Sequence, residues 1–325
     1  MEDIQKLKGL YDQLLCSESE FLEGLKEDAA KAGQGVKTGI ELTSCHADGS
    51  LHDFPLYIPK YAVTGVCART GGGKTTFMTN LAVRLAMAGS TGLFVTLEEA
   101  AFSITAKMLA AYSAAQNTNY SMAGLNNLEA LKVIAQQQTA DISGFKKDVL
   151  RRIRTVDGNG YANRQDIASA TVLFNPQAIY DLINYRNSKS SKPMDHLIID
   201  FGQLLESEYR DDSSYARMKS VMMSLKNIAG SGIAVVAGFQ MKREVAGESI
   251  WDWQPEMIRD GSDAEQACSM LIAIGRDNEY DGPEGDVIRL MKNRNGPKRV
   301  GGRMVIDFAR NHIPSKTIRP TGDEL

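Results

Sequence analysis

Apolar positions along the chain switch between two periods. Residues 3–27 set Ile4, Leu7, Tyr11, Leu14, Phe21 and Leu25 at three-to-four spacing, interrupted at Glu18, which predicts an amphipathic helix. Its stripe can be buried on its own domain or on a neighbouring subunit, and the period allows both. Lys31–Lys37, with Gly33 and Gly35, reads as a linker, so residues 1–36 form an N-terminal appendage and 37–325 the main domain. Gly39–Pro59 shows no regular pattern and is expected to be irregular. Short apolar runs at Tyr61–Cys67, Thr91–Leu97, Thr171–Phe174, His196–Phe201 and Ile233–Phe239 predict strands, as do Ala267–Gly275, Val287–Lys292 and Arg303–Phe308. Helical spacing marks Phe77–Met87, Ala101–Ala115, Pro176–Tyr185 and Met218–Ala229. Buried strands alternating with helices predict an α/β fold whose central sheet is mainly parallel and flanked by helices.

Between these elements the pattern weakens. Residues 116–170 are mostly helical by composition, and Lys146, Lys147, Arg151, Arg152 and Arg154 read as a solvated helix face. Residues 207–216 read as a polar loop. Ala246–Ser262, with Trp251 and Trp253, is a loop long enough to be functional or mobile. Everything after Asn311 is expected to be a disordered tail.

The strongest chemistry sits between the first predicted strand and the first helix of the main domain. Ala68-Arg69-Thr70-Gly71-Gly72-Gly73-Lys74-Thr75-Thr76 is a glycine-rich turn ending in Lys-Thr-Thr. Such a loop turns backbone N–H groups inward, and the helix N-terminus adds the positive end of its dipole, together forming a phosphate cradle. Lys74 would reach the β- and γ-phosphates of a nucleotide, and the Thr75 hydroxyl would ligate Mg²⁺. Ala68 stands where the usual motif begins with glycine. Glu98 closes the next strand, where a carboxylate can polarise the water attacking a γ-phosphate; Glu99 is expected to point elsewhere. Asp200 closes the His196–Phe201 strand in the manner of a carboxylate holding the water shell of Mg²⁺. Gln240, at the tip of a later strand, could bond a γ-phosphate or a nearby loop and report nucleotide state.

Bulk properties narrow the class. With 325 residues, 43% of them hydrophobic, the chain can bury a full α/β core. A net charge of −3 excludes a strongly basic nucleic-acid coat protein but leaves room for a local basic channel. Cys16, Cys45, Cys67 and Cys268 are scattered, which suits reduced thiols in the cytoplasm. Cys45, His46 and His52 lack a nearby fourth zinc ligand. Met1–Gly9 has no apolar core, and no apolar run reaches membrane-spanning length, so neither a secretory signal nor membrane association is expected.

Taken together, the motifs resemble the ATPase domain of DnaB-type replicative hexameric helicases, a RecA-like P-loop family, from about Lys37 to Ile313. The loop at 68–77 is similar to that family's phosphate loop, which often starts Ala-Arg. Thr96-Leu97-Glu98 matches its Ser-Leu-Glu, and Ile199-Asp200-Phe201-Gly202-Gln203-Leu204 resembles its Asp-Tyr-Leu-Gln-Leu segment. Arg259-Asp260-Gly261-Ser262, continuing to Gln266, resembles a stretch that contacts single-stranded DNA. Lys292-Asn293-Arg294-Asn295-Gly296-Pro297 is similar to a turn offered to the ATP of the neighbouring subunit. The resemblance implies ATP and Mg²⁺ as cofactors, Glu98 as catalytic base, and Lys292 and Arg294 acting in trans. Arg276, just after the predicted strand Ala267–Gly275, joins the candidate nucleotide contacts. It further implies a homo-hexameric ring on single-stranded DNA, 5′-to-3′ polarity, docking of the N-terminal helix on the adjacent subunit, and a loader or other replication protein as partner.

Departures from the family pattern are equally specific. The chain has room for the N-terminal helix but not for the family's primase-binding domain, which suggests a phage, plasmid or other specialised form. The family's glycine in the DNA-contacting stretch is Ser262, one place after Gly261, and its acidic pair is replaced by Ala267-Cys268-Ser269. These changes keep open a second function: a RecA-like ATPase serving as recombination mediator, loader or regulatory ring without unwinding.

Overall fold

The computed structural model describes residues 34–46, 48–118, 120–125, 136, 139–158, 175–205, 214–259, 262–278, 280 and 284–320. The predicted helix at 3–27, the predicted strand Thr171–Phe174 and most of the predicted 207–216 loop lie outside these residues, as do Asp260 and Gly261.

Ten strands form one sheet: β1 (Gly35–Cys45), β2 (Leu51–Pro59), β3 (Val63–Ala68), β4 (Gly92–Thr96), β5 (Ile153–Asp157), β6 (His196–Asp200), β7 (Ala234–Gln240), β8 (Met270–Arg276), β9 (Asp286–Asn293) and β10 (Val300–Met304). Their order is β2-β1-β10-β9-β8-β3-β7-β6-β4-β5. From β8 to β5 every pair is parallel, while β9, β10, β1 and β2 extend the sheet antiparallel. Both faces of the parallel part are covered, so β3, β4 and β6 are buried at every position and read as continuous apolar runs. One face packs against α1 (Lys74–Met87) and α2 (Ala101–Ala115) through Phe77, Leu81, Leu85, Ile104 and Met108. The other meets α3 (Pro176–Ser188) and α4 (Ser214–Gly230) through Ile179, Ile183, Val221, Met222 and Leu225.

Several expectations need correction. Gly39–Pro59 is not irregular; it supplies most of the β1–β2 hairpin, and the start of β1 lies inside the expected linker. Val36, Thr38, Ile40 and Leu42 alternate inward, but the buried Thr38 masks the period; its hydroxyl donates to the Leu56 carbonyl at 2.7 Å. Pro55 and Pro59 sit on β2, the sheet edge, where a missing N–H is tolerated. The described part of residues 116–170, expected to be mostly helical, also contains β5; its Asp157 accepts from the Ala101 N–H at 2.6 Å at the start of α2. Their basic residues do not share a helix face: Lys146 and Lys147 are exposed in a helical turn, whereas Arg154 lies in β5.

The described residues 246–259 of the predicted Ala246–Ser262 loop are organised in short turns. These turns bury Ile250 and Trp253, and Trp251 Nε1 donates to Asp277 at 3.2 Å. Gly275 and Gly301 make room for the indoles: a Cβ there would lie 3.1 Å from Trp253 and 2.8 Å from Trp251. The predicted tail after Asn311 is also ordered through residue 320. Asn80 on α1 bonds the Asn311 carbonyl at 2.7 Å and the Ile313 N–H at 3.1 Å, and Ile313 is fully buried. Ser315 and Thr317 then bond the backbone of Glu41 in β1. The last strand is Val300–Met304 rather than Arg303–Phe308, because Gly301 and Gly302, weak strand formers by type, accommodate Trp251 and Thr317.

His196 at the start of β6 is fully buried, with Nδ1 3.0 Å from the Ser90 hydroxyl and no partner at Nε2. Burial lowers its pKa to about 4 from an ordinary 6.5, so the fold holds it neutral while the unfolded chain takes up a proton below 6.5. Its contribution is therefore present above pH 6.5 and lost as pH falls toward 4, by about 3 kcal/mol in all. Thermal melts between pH 7 and 5 should show a falling midpoint, and His196→Gln should flatten that fall (about one unit of pH either side of the free imidazole value).

Candidate functional site

β3 runs into the glycine loop at Ala68, and α1 begins at Lys74. The loop closes with the Gly72 N–H on the Arg69 carbonyl at 2.9 Å. Gly71 and Gly73 have φ of 75° and 89°, the left-handed region glycine enters without a Cβ penalty. No side chain caps α1 and its first turn carries no acid, so its leading N–H groups face the loop's concavity as an anion site.

A cavity of about 330 Å³ opens over this loop, lined by residues from Ala68 to Thr76 with Glu98, Glu99, Lys107, Phe201, Gln240 and Phe308. At its floor Lys74 and Thr75 converge on Asp200. The Thr75 hydroxyl donates to Asp200 Oδ2 at 2.5 Å, and Lys74 Nζ lies 3.4 Å from Oδ1 and 4.0 Å over the Phe201 ring. Asp200 is 1% exposed, and its Oδ1 has no hydrogen-bond partner. A buried carboxylate beside a threonine hydroxyl is an all-oxygen donor set of the kind Mg²⁺ takes together with waters and phosphate oxygens. Gly238 keeps this floor open: a Cβ there would stand 3.0 Å from Lys74 Cδ and 3.3 Å from Asp200 Oδ1.

Glu98 is exposed on the cavity wall. Glu99, expected to point elsewhere, lines the same cavity, but its carboxylate is engaged: Ser103 donates to one oxygen at 2.6 Å and Lys107 pairs with the other. Glu99, Ser103 and Lys107 follow at four-residue intervals, a signal the sequence held. Phe308, exposed at the rim, arrives from beyond β10, where no motif marks it.

Gln240 closes the far side. Its side chain donates to the Thr70 hydroxyl, and its backbone N–H donates to Gln203 Oε1 at 2.8 Å. The other described candidates do not line this cavity. Lys292 donates to the Glu265 carbonyl at 2.5 Å, and the exposed Arg294 donates to the Gln266 carbonyl at 3.1 Å. Burial, then the Arg294 charge, lowers the Lys292 pKa. Arg276 pairs with Asp286 at 3.7 Å and does not line the cavity. Arg259 is exposed, its backbone tied to Gln240 and Gln203, and Ser262 opens the short helix α5 (Ser262–Ala267).

A strand, phosphate loop and helix at the centre of a mostly parallel sheet, with a threonine and a carboxylate meeting at the loop, define a RecA-like P-loop ATPase domain. The chain belongs to the DnaB-like helicase C-terminal domain family, whose profile matches residues 59–312. Among solved structures, a DnaB-like replicative helicase described with its interactions with primase superposes with a TM-score of 0.64 at 16% identity, covering 94% of this chain and 67% of that one. A second solved structure, itself an isolated ATPase domain, gives 0.65 at 16% identity, with 94% and 99% covered. The KaiC-like protein PH0186 from the hyperthermophilic archaeon Pyrococcus horikoshii OT3 gives 0.51 at 17% identity, with 85% and 96% covered. At these identities the likeness is one of fold. No curated protein sequence matches the chain. No helix among the described residues is long and apolar enough to cross a membrane.

Proposed function

We propose that the chain is an ATP hydrolase that works as one subunit of a homo-hexameric ring, moving along single-stranded DNA as a DnaB-type helicase. The observation that carries this reading is the convergence of Lys74 and Thr75 on Asp200 beneath the glycine loop, with Glu98 on the wall of the same cavity. When bound there, ATP with Mg²⁺ supplies the phosphoryl group to be transferred. Lys74 and the α1 N-terminus bind its phosphates, Thr75 and Asp200 orient the cation, and Glu98 takes the proton of the attacking water. Gln240 senses the terminal phosphate beside Thr70. Neither Lys292 nor Arg294 lines the cavity formed by the described residues of their own chain, which supports a site completed by the adjacent subunit. The family's DNA-contacting stretch corresponds to Arg259–Ser262, of which Arg259 is exposed beside Gln240.

A forked duplex with a 5′ tail tests the reading. Strand displacement should require ATP and Mg²⁺, and single-strand affinity should fall steeply with salt as phosphate contacts release counterions. No single-strand binding even at low salt would overturn the helicase assignment. DNA-insensitive ATPase without displacement would point to a mediator, loader or regulatory ring, the reading that the altered 259–269 stretch favours.

A further inference from the structure

We infer that Gln203 is a positioning residue that couples the nucleotide cavity to the segment ending at Arg259. The inference rests on the nucleotide-site reading above and extends it to a side chain with no place in the chemistry.

Gln203 sits in a short turn after β6, three residues beyond Asp200. Its amide makes two bonds in opposite senses. Oε1 accepts the Gln240 backbone N–H at 2.8 Å, and Nε2 donates to the Arg259 carbonyl at 2.5 Å. Gln240 and Arg259 are also joined directly, the Arg259 N–H donating to the Gln240 carbonyl at 2.9 Å. The pairing continues as a bridge between Met241 and Ile258 and a bond from the Lys242 N–H to the Met257 carbonyl at 2.8 Å. Residues 257–259 thus form a short ladder on the end of β7, and one side-chain amide clasps its cavity-side end. Gln240 in turn reaches the phosphate loop, donating to the Thr70 hydroxyl.

The consequence is mechanical. A phosphate arriving beside Thr70 offers Gln240 an anionic acceptor stronger than a hydroxyl. Any shift of the β7 tip that follows is passed to Arg259 through two routes, the backbone bond and the Gln203 amide. Without the amide the side-chain route is lost, and the ladder is left unclasped at an exposed end where it can open locally.

Amide hydrogen exchange of residues 254–259, with and without a non-hydrolysable ATP analogue and Mg²⁺, tests the coupling. In the wild type the analogue should change exchange at Arg259 about tenfold. In Gln203→Ala the change should fall below about twofold while analogue affinity stays within about threefold of wild type. Gln203→Glu keeps the volume and the acceptor for Gln240 but sets an oxygen against the Arg259 carbonyl, so it should fail as alanine does; a space-filling role would be restored by it. An unchanged response in either variant, or analogue binding to the wild type with no response at 254–259, overturns the coupling alone. Failure of the wild type to bind the analogue overturns the nucleotide-site reading and the coupling with it.

Discussion

Glu98→Gln is expected to lower ATP turnover about 10²–10⁴-fold, the range a positioned general base contributes, with ATP affinity nearly unchanged. The substitution keeps size and hydrogen bonding but removes the group that can accept a proton from water. Glu99→Gln, one residue away on the same cavity wall, should change turnover by less than about tenfold, because its carboxylate already serves Ser103 and Lys107 as a partly exposed ion pair of modest strength. Steady-state ATPase assays on the two variants separate the roles. Equal losses would mean that the adjacent acids act as a unit, and an active Glu98→Gln would remove Glu98 from the mechanism.

Arg294→Ala should cost about 10³–10⁵-fold in turnover, the magnitude of an arginine supplied in trans to a transferring phosphoryl group. The Arg294 side chain is exposed and, among the described residues, bonds a backbone carbonyl of α5, while its own backbone N–H bond to Ser269 survives the substitution, so little of the fold depends on the side chain. The loss should therefore leave the melting temperature and ATP binding close to wild type and fall on kcat. A comparable loss of stability would mark Arg294 as a structural clasp between the β9–β10 turn and α5. A turnover within a few-fold of wild type would leave the trans assignment without support.

How much of this was legible depended on whether a function lies in consecutive residues. Strand, glycine loop and helix at 61–87 could be read because phosphate binding uses adjacent backbone groups, and Asp200 because a buried parallel strand exposes its end at the sheet's ligand side. The β1–β2 hairpin escaped because the buried Thr38 blurs the alternation and the edge prolines of β2 look like loop punctuation. The path of residues 311–318 escaped for another reason: apart from the buried Ile313, what orders it comes from far away in sequence, Asn80 and Arg84 reaching its backbone and Glu41 pairing with Ser315 and Thr317. Gln203 lay inside a recognisable motif, yet its role depends on two carriers of backbone groups, Gln240 and Arg259, that only folding brings to it. Engagement of Glu99 could have been read from the four-residue spacing of Ser103 and Lys107, whose side chains reach back from the first turns of α2 to the bend that carries it.

In the proposed ring each site is built by two subunits, with Glu98 and the phosphate loop from one and Arg294 from the next. Mixing Glu98→Gln subunits with Arg294→Ala subunits tests it directly, through ATP turnover of the reassembled protein. In a random mixed ring about a quarter of the interfaces pair an intact Glu98 with an intact Arg294. Turnover should recover toward that fraction of wild type, from two parents that are each nearly inactive. Mixtures that stay as inactive as their parents, although ring assembly is demonstrated by mass, would contradict it.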